Sequence, residues 1–335
     1  MRTVLTMAHG GLEVLRLVDD QPEPVADPGE VIVAVAATAV NFHDIFTRRG
    51  MPGIRIPLPV VTGSDVAGTI AALGQGVAGW SVGNRVLIDP VFRDGRIGMI
   101  GESADGGRAD YVKCRSDQLV MVPDAVSLNA AATLPLAYGT AHRMLHMRGR
   151  GTAGETILIL GASGGVGVAC VQLAKLQGAI VIACASSAAK LERLEAIGAD
   201  HLIDYSRTDI IDGARAIVGK PRVSGEGGVD VAVNFTGGDT WAATQRCVKR
   251  GGRILTCGAT AGFEVTTDMR YLWTFEHDVL GSNGWTREDL ISLLDLVAIG
   301  RLAPLIDRIL PFEAAADAER LLEERAAVGK ILLKP

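Results

Sequence analysis

The chain has 335 residues, 48% of them hydrophobic and 21% charged, with a formal net charge of −5. That length accommodates two ordinary domains with a sizeable core, and the balance is that of a folded globular protein. The mild acidity leaves no electrostatic footprint for nucleic acid or anionic membrane, and no apolar run reaches the ~18 uninterrupted residues that a membrane-spanning helix requires.

The start, Met1-Arg2-Thr3-Val4-Leu5, lacks signal-peptide anatomy, so a cytoplasmic location is expected. Val31 to Val40 follows Pro28-Gly29-Glu30 and reads as a buried strand. Further short runs at Val66-Ala67-Gly68-Thr69-Ile70, Arg85-Val86-Leu87-Ile88 and Tyr111-Val112-Lys113 alternate with Gly and Pro. This pattern predicts an irregular, mostly antiparallel β domain over 1–122. Past Pro123, strands alternate with helical patterns, which predicts a parallel α/β sheet over 123–283. Residues 125–149 read as helical, broken at Pro135. Strands are predicted at 156–160, 180–183, 229–233, 253–256 and 279–282, with helices over 166–177 and 188–197. Arg287 to Ile299 and Glu313 to Arg325 look helical, and Lys330 to Leu333 reads as a closing strand. The basic stretch Arg143 to Arg150 is interrupted by apolar residues, as a solvated helix face would be. Cys114, Cys170, Cys184, Cys247 and Cys257 stand too far apart for a CxxC knuckle and read as buried thiols.

Leu160-Gly161-Ala162-Ser163-Gly164-Gly165-Val166-Gly167 follows an apolar strand and opens a helix. In that context Ser163, Gly164, Gly165, Val166 and Gly167 form a candidate dinucleotide turn. A diphosphate needs bare main-chain N–H groups at a helix N-terminus, and a Cβ there would hold the backbone away. Gly167 would let the helix pack closely on the strand. An NAD site places Asp or Glu about 20 residues onward to hold the ribose 2′-hydroxyl. Here the second strand ends in Ala185, Ser186 and Ser187, with no acid until Glu192. Small hydroxyl residues with Lys190 nearby suit a 2′-phosphate, and Tyr205 could add a hydroxyl, so the expected cofactor is NADPH. Ser186 and Ser187 would equally serve as caps of the helix that follows.

The loop 162–167, the segment ending Ile197-Gly198-Ala199-Asp200, and Gly251-Gly252-Arg253 resemble the medium-chain dehydrogenase/reductase superfamily. Asn41-Phe42-His43-Asp44, Gly63-Ser64-Asp65-Val66-Ala67-Gly68 and Gly106-Gly107-Arg108-Ala109-Asp110-Tyr111-Val112 carry the likeness through the first half. Leu134-Pro135, Tyr138-Gly139-Thr140-Ala141 and Gly329-Lys330-Ile331 extend it to the end. Within the superfamily the chain is most similar to the quinone oxidoreductase (zeta-crystallin-like) branch. The resemblance implies a GroES-like catalytic domain over 1–122, completed by 284–335, and a Rossmann domain over 123–283, with the cofactor in the cleft between them. It also implies a homodimer through edge pairing near Val279 to Ser282, and cofactor contacts from Asn41, Thr140, Gly258 and Lys330 besides the glycine loop.

In the zinc alcohol dehydrogenases of this superfamily a cysteine stands where this chain has Asn41, and a His-Glu pair where it has Ser64-Asp65. A four-cysteine lobe follows the strand that is here Arg85 to Ile88, whereas 89–106 holds no cysteine. Catalytic zinc takes three protein ligands and structural zinc four, so no metal is expected. His142 with His146, and His43 with Asp44, are candidate pairs that lack a completing ligand. By the same likeness Asp65 would pair with Lys330, and Lys330 would touch phosphate.

Oxidising an unactivated alcohol relies on a metal to stabilise the alkoxide. An electrophilic small-molecule acceptor such as a quinone or an α,β-unsaturated carbonyl needs only donors and a proton. Asn41 and Tyr138 are therefore expected to orient the acceptor or carboxamide, with His43 or solvent as proton source. Asn41 would alternatively end its strand as a turn residue, and Tyr138 would simply pack. Phe46 and Met51 make the pocket apolar, its shape depends on loops such as Arg48 to Pro59, and an enone or enoyl reductase stands alongside the quinone reading. A zinc alcohol dehydrogenase with atypical ligands and a low-turnover NADPH-binding structural or sensor protein are the alternatives.

Overall fold

The valine-rich run after Gly29 forms the strand Glu30–Val40, eleven residues long and buried along most of its length. Its β-branched side chains suit a pleated surface packed on both sides. In the computed structural model, which describes residues 1–51 and 53–335, this strand organises the first of two units. Pro52, within the Arg48 to Pro59 region, lies outside the described residues. Glu30–Val40 pairs antiparallel with Asp65–Leu73 on one side and, at its two ends, with Tyr111–Arg115 and Lys330–Lys334 on the other. Arg85–Ile88 and Leu119–Met121 extend one edge, and Ile306–Pro311 the other, giving a seven-stranded sheet. A smaller sheet joins Leu15–Val18, Thr3–Thr6 and Val60–Val61. Val31, Val33, Val66, Ile70, Val86 and Ile88 form the core.

Two consequences of this pairing position the site. Ile331 stands opposite Val40 and Leu333 opposite Thr38, so the C-terminal strand completes the first unit and brings Lys330 to the end of Glu30–Val40. There Asn41 begins the helix Phe42–Arg49, which the sequence reading had not assigned. The first unit, Met1–Ala137 with Arg287–Pro335, runs beyond the change of texture at Pro123. The reason is that the helix Leu128–Ala131 packs on Glu30–Val40 and Asp65–Leu73. The rest of 125–149 winds through wide π turns, Leu134–Gly139 and Arg143–Arg148, around the short helix Thr140–His142. Pro135, lacking an N–H, cannot continue an α-helical ladder there.

The second unit, Tyr138–Thr286, holds the strands Thr156–Ile159, Ile180–Ala185, His201–Asp204, Val229–Val233, Val248–Thr256 and Asp278–Gly281. All are parallel, and counted along the chain they lie in the order 3-2-1-4-5-6. This is the doubly wound Rossmann arrangement, with near-continuous apolar strands because both faces are covered. Leu158, Ile182, Cys184, Ala232 and Ile254 make its core. The winding reverses between Thr156–Ile159 and Val229–Val233, and such sheets take ligands outside the carboxyl ends of strands at that reversal. Among the described residues no helix is long and apolar enough to cross a membrane.

Candidate active site

The glycine turn lies where the topology calls for a ligand. Gly161 turns the chain at φ +65°, and the helix Gly165–Leu176 starts from Gly164 in extended backbone. The first N–H groups of a helix have no partners inside it, and the helix dipole adds positive potential there. A Cβ on Gly167 would fall 2.3 Å from the Gly161 carbonyl oxygen and 2.6 Å from Ala162 Cα, so helix and turn touch only because residue 167 is glycine. At exposed Gly164 a Cβ would meet nothing nearer than that oxygen at 3.6 Å, which leaves open space before the turn. Ser163, Gly165 and Val166 border the same space, partly exposed. Bare amides, a dipole and an open approach fit a dinucleotide diphosphate.

Ser186, Lys190 and Tyr205 come together at the ends of the second and third strands of this unit. Lys190 Nζ donates to Ser186 Oγ at 3.2 Å, and Tyr205 N donates to Ala185 O at 3.1 Å. Ser187 stands at the helix N-cap without closing a side-chain cap hydrogen bond. One carboxylate is close in register, since Asp204 is opposite Ala185. It is turned into its own loop, where it accepts from Ser206 N at 3.0 Å and Ser206 Oγ at 2.6 Å. Those hydrogen bonds hold its carboxyl below the usual range. Gly258 lines a cavity of about 510 Å³ with Trp241, Cys257, Phe263, Val265 and Ser282.

Other polar side chains are satisfied inside the second unit, Tyr138 among them by the packing that was its alternative reading. Tyr138 is fully buried, and its hydroxyl donates to Gln172 at 2.7 Å, so it packs the second unit and its proton is committed there instead of to an acceptor. Thr140 is partly buried two residues on. Asn234, unremarked in the sequence, is fully buried after the strand Val229–Val233. Its Oδ1 accepts from Thr236 N and Gly237 N at 3.0 Å each, which shapes the turn beside Gly161.

In the first unit, Asn41, Asp65 and Lys330 form one buried cluster. Lys330 Nζ donates to Asn41 Oδ1, to Asp65 Oδ2 at 3.2 Å and to Val40 O at 3.3 Å. The expected Asp65–Lys330 pair is present, but all three ammonium protons have protein acceptors and Lys330 is 2% exposed. No ammonium proton of Lys330 is left for a phosphate. Asn41 Nδ2 donates to Asp65 Oδ2 at 2.9 Å and to Ala39 O at 3.2 Å, so both amide protons are taken and Asn41 is a structural junction. Its expected hydrogen bonding to acceptor or carboxamide loses its donors. Burial pushes the Asp65 carboxyl up, opposed by Lys330, Asn41 and the Leu136 N–H. Asp44 fixes the junction from behind, accepting from Asn41 N at 2.8 Å and Gly63 N at 3.0 Å.

His43 is the predicted acceptor-side residue that keeps an exposed edge. Its side chain is 19% exposed, and Nε2 lies 3.0 Å from Glu102 Oε2, at ion-pair distance though off the axis of a directed hydrogen bond. Burial works against the charged ring, but Glu102, Asp44 and Asp65 outweigh it and raise the His43 pKa above its ordinary value. Glu102 was not singled out in the sequence, where it is one of three acids between Asp89 and Gly106, with Asp94 and Asp105, and belongs to no motif. The His142 and His146 rings stack with centroids 4.3 Å apart, and His146 Nδ1 lies 2.6 Å from Gln177 Nε2. Among the described residues no three His, Cys, Asp or Glu side chains are grouped to hold a metal ion.

Residues 27–124 match the alcohol dehydrogenase GroES-like domain, and residues 165–298 match the zinc-binding dehydrogenase family. The chain is 31% identical to the synaptic vesicle membrane protein VAT-1 homolog of Rattus norvegicus, covering 100% of this chain and 84% of the relative. It is 28% identical to the quinone oxidoreductase of Mus musculus, covering 99% and 97%. A solved NAD-dependent alcohol dehydrogenase superposes with a TM-score of 0.92 at 36% identity over 100% of both chains. A 2-octenoyl-CoA carboxylase reductase in complex with NADP and 2-octenoyl-CoA superposes with a TM-score of 0.84 at 30% identity, covering 96% of this chain and 82% of that one. With its paired GroES-like and Rossmann units, the chain belongs to the medium-chain dehydrogenase/reductase superfamily of oxidoreductases.

Proposed function

We propose that this protein is an NADPH-dependent reductase that delivers hydride to a quinone or an α,β-unsaturated carbonyl without catalytic zinc. The observation that carries the reading is Asn41, which stands where zinc relatives place a cysteine and whose Oδ1 accepts from the Lys330 ammonium. An amide oxygen already accepting from lysine is a poor zinc ligand, and so is the buried Ser64 hydroxyl. The residues present do not fit a catalytic zinc, and an acceptor that is already electrophilic needs none.

Bound NADPH supplies the hydride. The 163–167 turn receives its diphosphate, Ser186, Lys190 and Tyr205 receive the 2′-phosphate, and His43 provides the proton. The relatives divide on the cofactor, one solved structure being NAD-dependent and another holding NADP. The hydroxyl and ammonium at the end of Ile180–Ala185 favour the phosphorylated form, because a carboxylate aimed there would repel it. The strand Asp278–Gly281 ends the sheet with Val279 43% exposed, which supports a homodimer by edge pairing; sedimentation showing only monomer would remove that part.

The test is an acceptor screen with NADPH and NADH side by side, preceded by elemental analysis. Turnover of quinones or enones with NADPH, unchanged after EDTA, is expected. Stoichiometric zinc whose removal abolishes turnover would refute the proposal.

A further inference from the structure

The segment that follows the strand Arg85–Ile88 carries no cysteine lobe, yet it is firmly anchored. Gly106 N donates to Val61 O and Gly107 N to Gly63 O, at 2.7 Å each. Gly101 packs so closely on the Gly63–Ser64 backbone that a Cβ would fall 2.8 Å from Ser64 N. Between these anchors Glu102 is returned to the interior, its side chain 6% exposed and its carboxylate against His43 Nε2. His43 is itself fixed, as the second residue of the helix Phe42–Arg49, next to Asp44, which is tied to Gly63 N.

Three carboxylates act electrostatically on the His43 ring: Asp44 on its own helix, Asp65 on the neighbouring strand and Glu102, the one in contact, on the returning segment. Asp65 has Lys330 as its cation, and Arg108 Nη2 stands 3.3 Å from Asp44. Glu102 has His43, with Ser103 Oγ donating to it at 3.0 Å. The helix N-terminus and burial both disfavour a charged imidazole, so a carboxylate of this kind is needed if the ring is to hold a proton near neutral pH.

We infer that Glu102 is a positioning residue for proton delivery, orienting the His43 ring and stabilising its cationic form so that the pair protonates the reduced acceptor. This rests on the reductase reading above. Hydride adding to the electrophilic carbon moves an electron pair onto the acceptor oxygen and creates an enolate or quinol anion. That anion takes one proton from His43, the ring becomes neutral, and solvent reprotonates it. Nε2 is buried against Glu102, so the transferred proton is the one on Nδ1. Each turnover thus consumes one hydride and one proton.

The experiment follows the His43 ring in the free full-length protein by NMR with labelled histidine, in wild type and in Glu102→Gln. It also records the pH profile of kcat with the best acceptor found. The wild-type ring is expected to titrate above the ordinary value, and Glu102→Gln to lower its midpoint by about 1 pH unit or more. Because the protonated ring is the donor, kcat falls as pH rises through that midpoint, and the falling limb should move down by the same amount. Glu102→Asp, which keeps the charge, should restore most of the shift and guards against misfolding of the glutamine variant. An unchanged midpoint and an unmoved limb would overturn the role of Glu102 and leave the reductase reading intact. Absence of turnover with every acceptor would overturn the reductase reading, and proton delivery with it, whatever the ring titration shows.

Discussion

Replacing Lys330 with Met separates two roles for this lysine, a buried counter-ion and a phosphate contact. Methionine keeps most of the stem volume, so the main loss is the cation beside Asp65. Removing one partner of a buried charge pair costs about 3–5 kcal/mol. Asp65 would retain donors from Asn41 Nδ2 at 2.9 Å and Leu136 N at 2.8 Å, which places the loss near the lower end, about 3 kcal/mol. For a unit of this size that corresponds to a fall in Tm of about 10 °C. Calorimetry measures it, and fluorescence titration measures NADPH binding on the same samples. Because the ammonium protons are all accepted by the protein, the Kd for NADPH should change by no more than about threefold, under 1 kcal/mol. The double variant Asp65→Asn with Lys330→Met should recover part of the stability by removing the orphaned charge. A Tm unchanged within error, together with a Kd raised about 100-fold, would show that Lys330 serves phosphate instead.

Gly167→Ala places a methyl against the Gly161 carbonyl and should cost about 1–3 kcal/mol. It should also weaken dinucleotide binding at least tenfold, by roughly 1.4 kcal/mol; calorimetric titration showing native affinity would refute the close-packing role. Ser186→Asp puts a carboxylate beside Lys190 and should reduce the ratio of NADPH to NADH affinity by about 1–2 orders of magnitude. A constant ratio in fluorescence titrations would mean the 2′-phosphate does not bind there. For Glu319, burial raises the carboxyl, but Arg108 and Arg48 outweigh it and hold it below its ordinary 4.5. A folded pKa below the unfolded one means the stabilisation is present above about pH 4.5 and is lost as pH falls through the folded value. Glu319→Gln should therefore lower stability by about 3–5 kcal/mol at pH 7 and flatten the acid limb of urea midpoints. Parallel limbs in the two proteins would sink this account.

Much of the second unit was legible because its signals are local. Strand-loop-helix order, the spacing of the glycines and the absence of an early acid after Ala185 are all properties of neighbouring residues, and the parallel sheet follows from their alternation. Helix Phe42–Arg49 escaped notice because Asn41 ends one element and begins another, and a turn reading accounted for it equally well. Glu102 and Asn234 were invisible, since a single acid or amide in a loop has no pattern until the fold supplies a partner.

Taken alone, the order of residues determined the glycine turn, the doubly wound half and the lack of cysteine at the positions where zinc relatives chelate, because each depends on chemistry confined to a short stretch. Tertiary structure decided what the polar side chains do. Lys330 meets Asn41 only because the last strand pairs with Glu30–Val40. Tyr138 is withdrawn to Gln172, and His43 gains Glu102 from a segment anchored far along the chain. Long-range pairing sets which buried donors and acceptors are already satisfied, and a group's freedom to act on a ligand is what remains after that satisfaction.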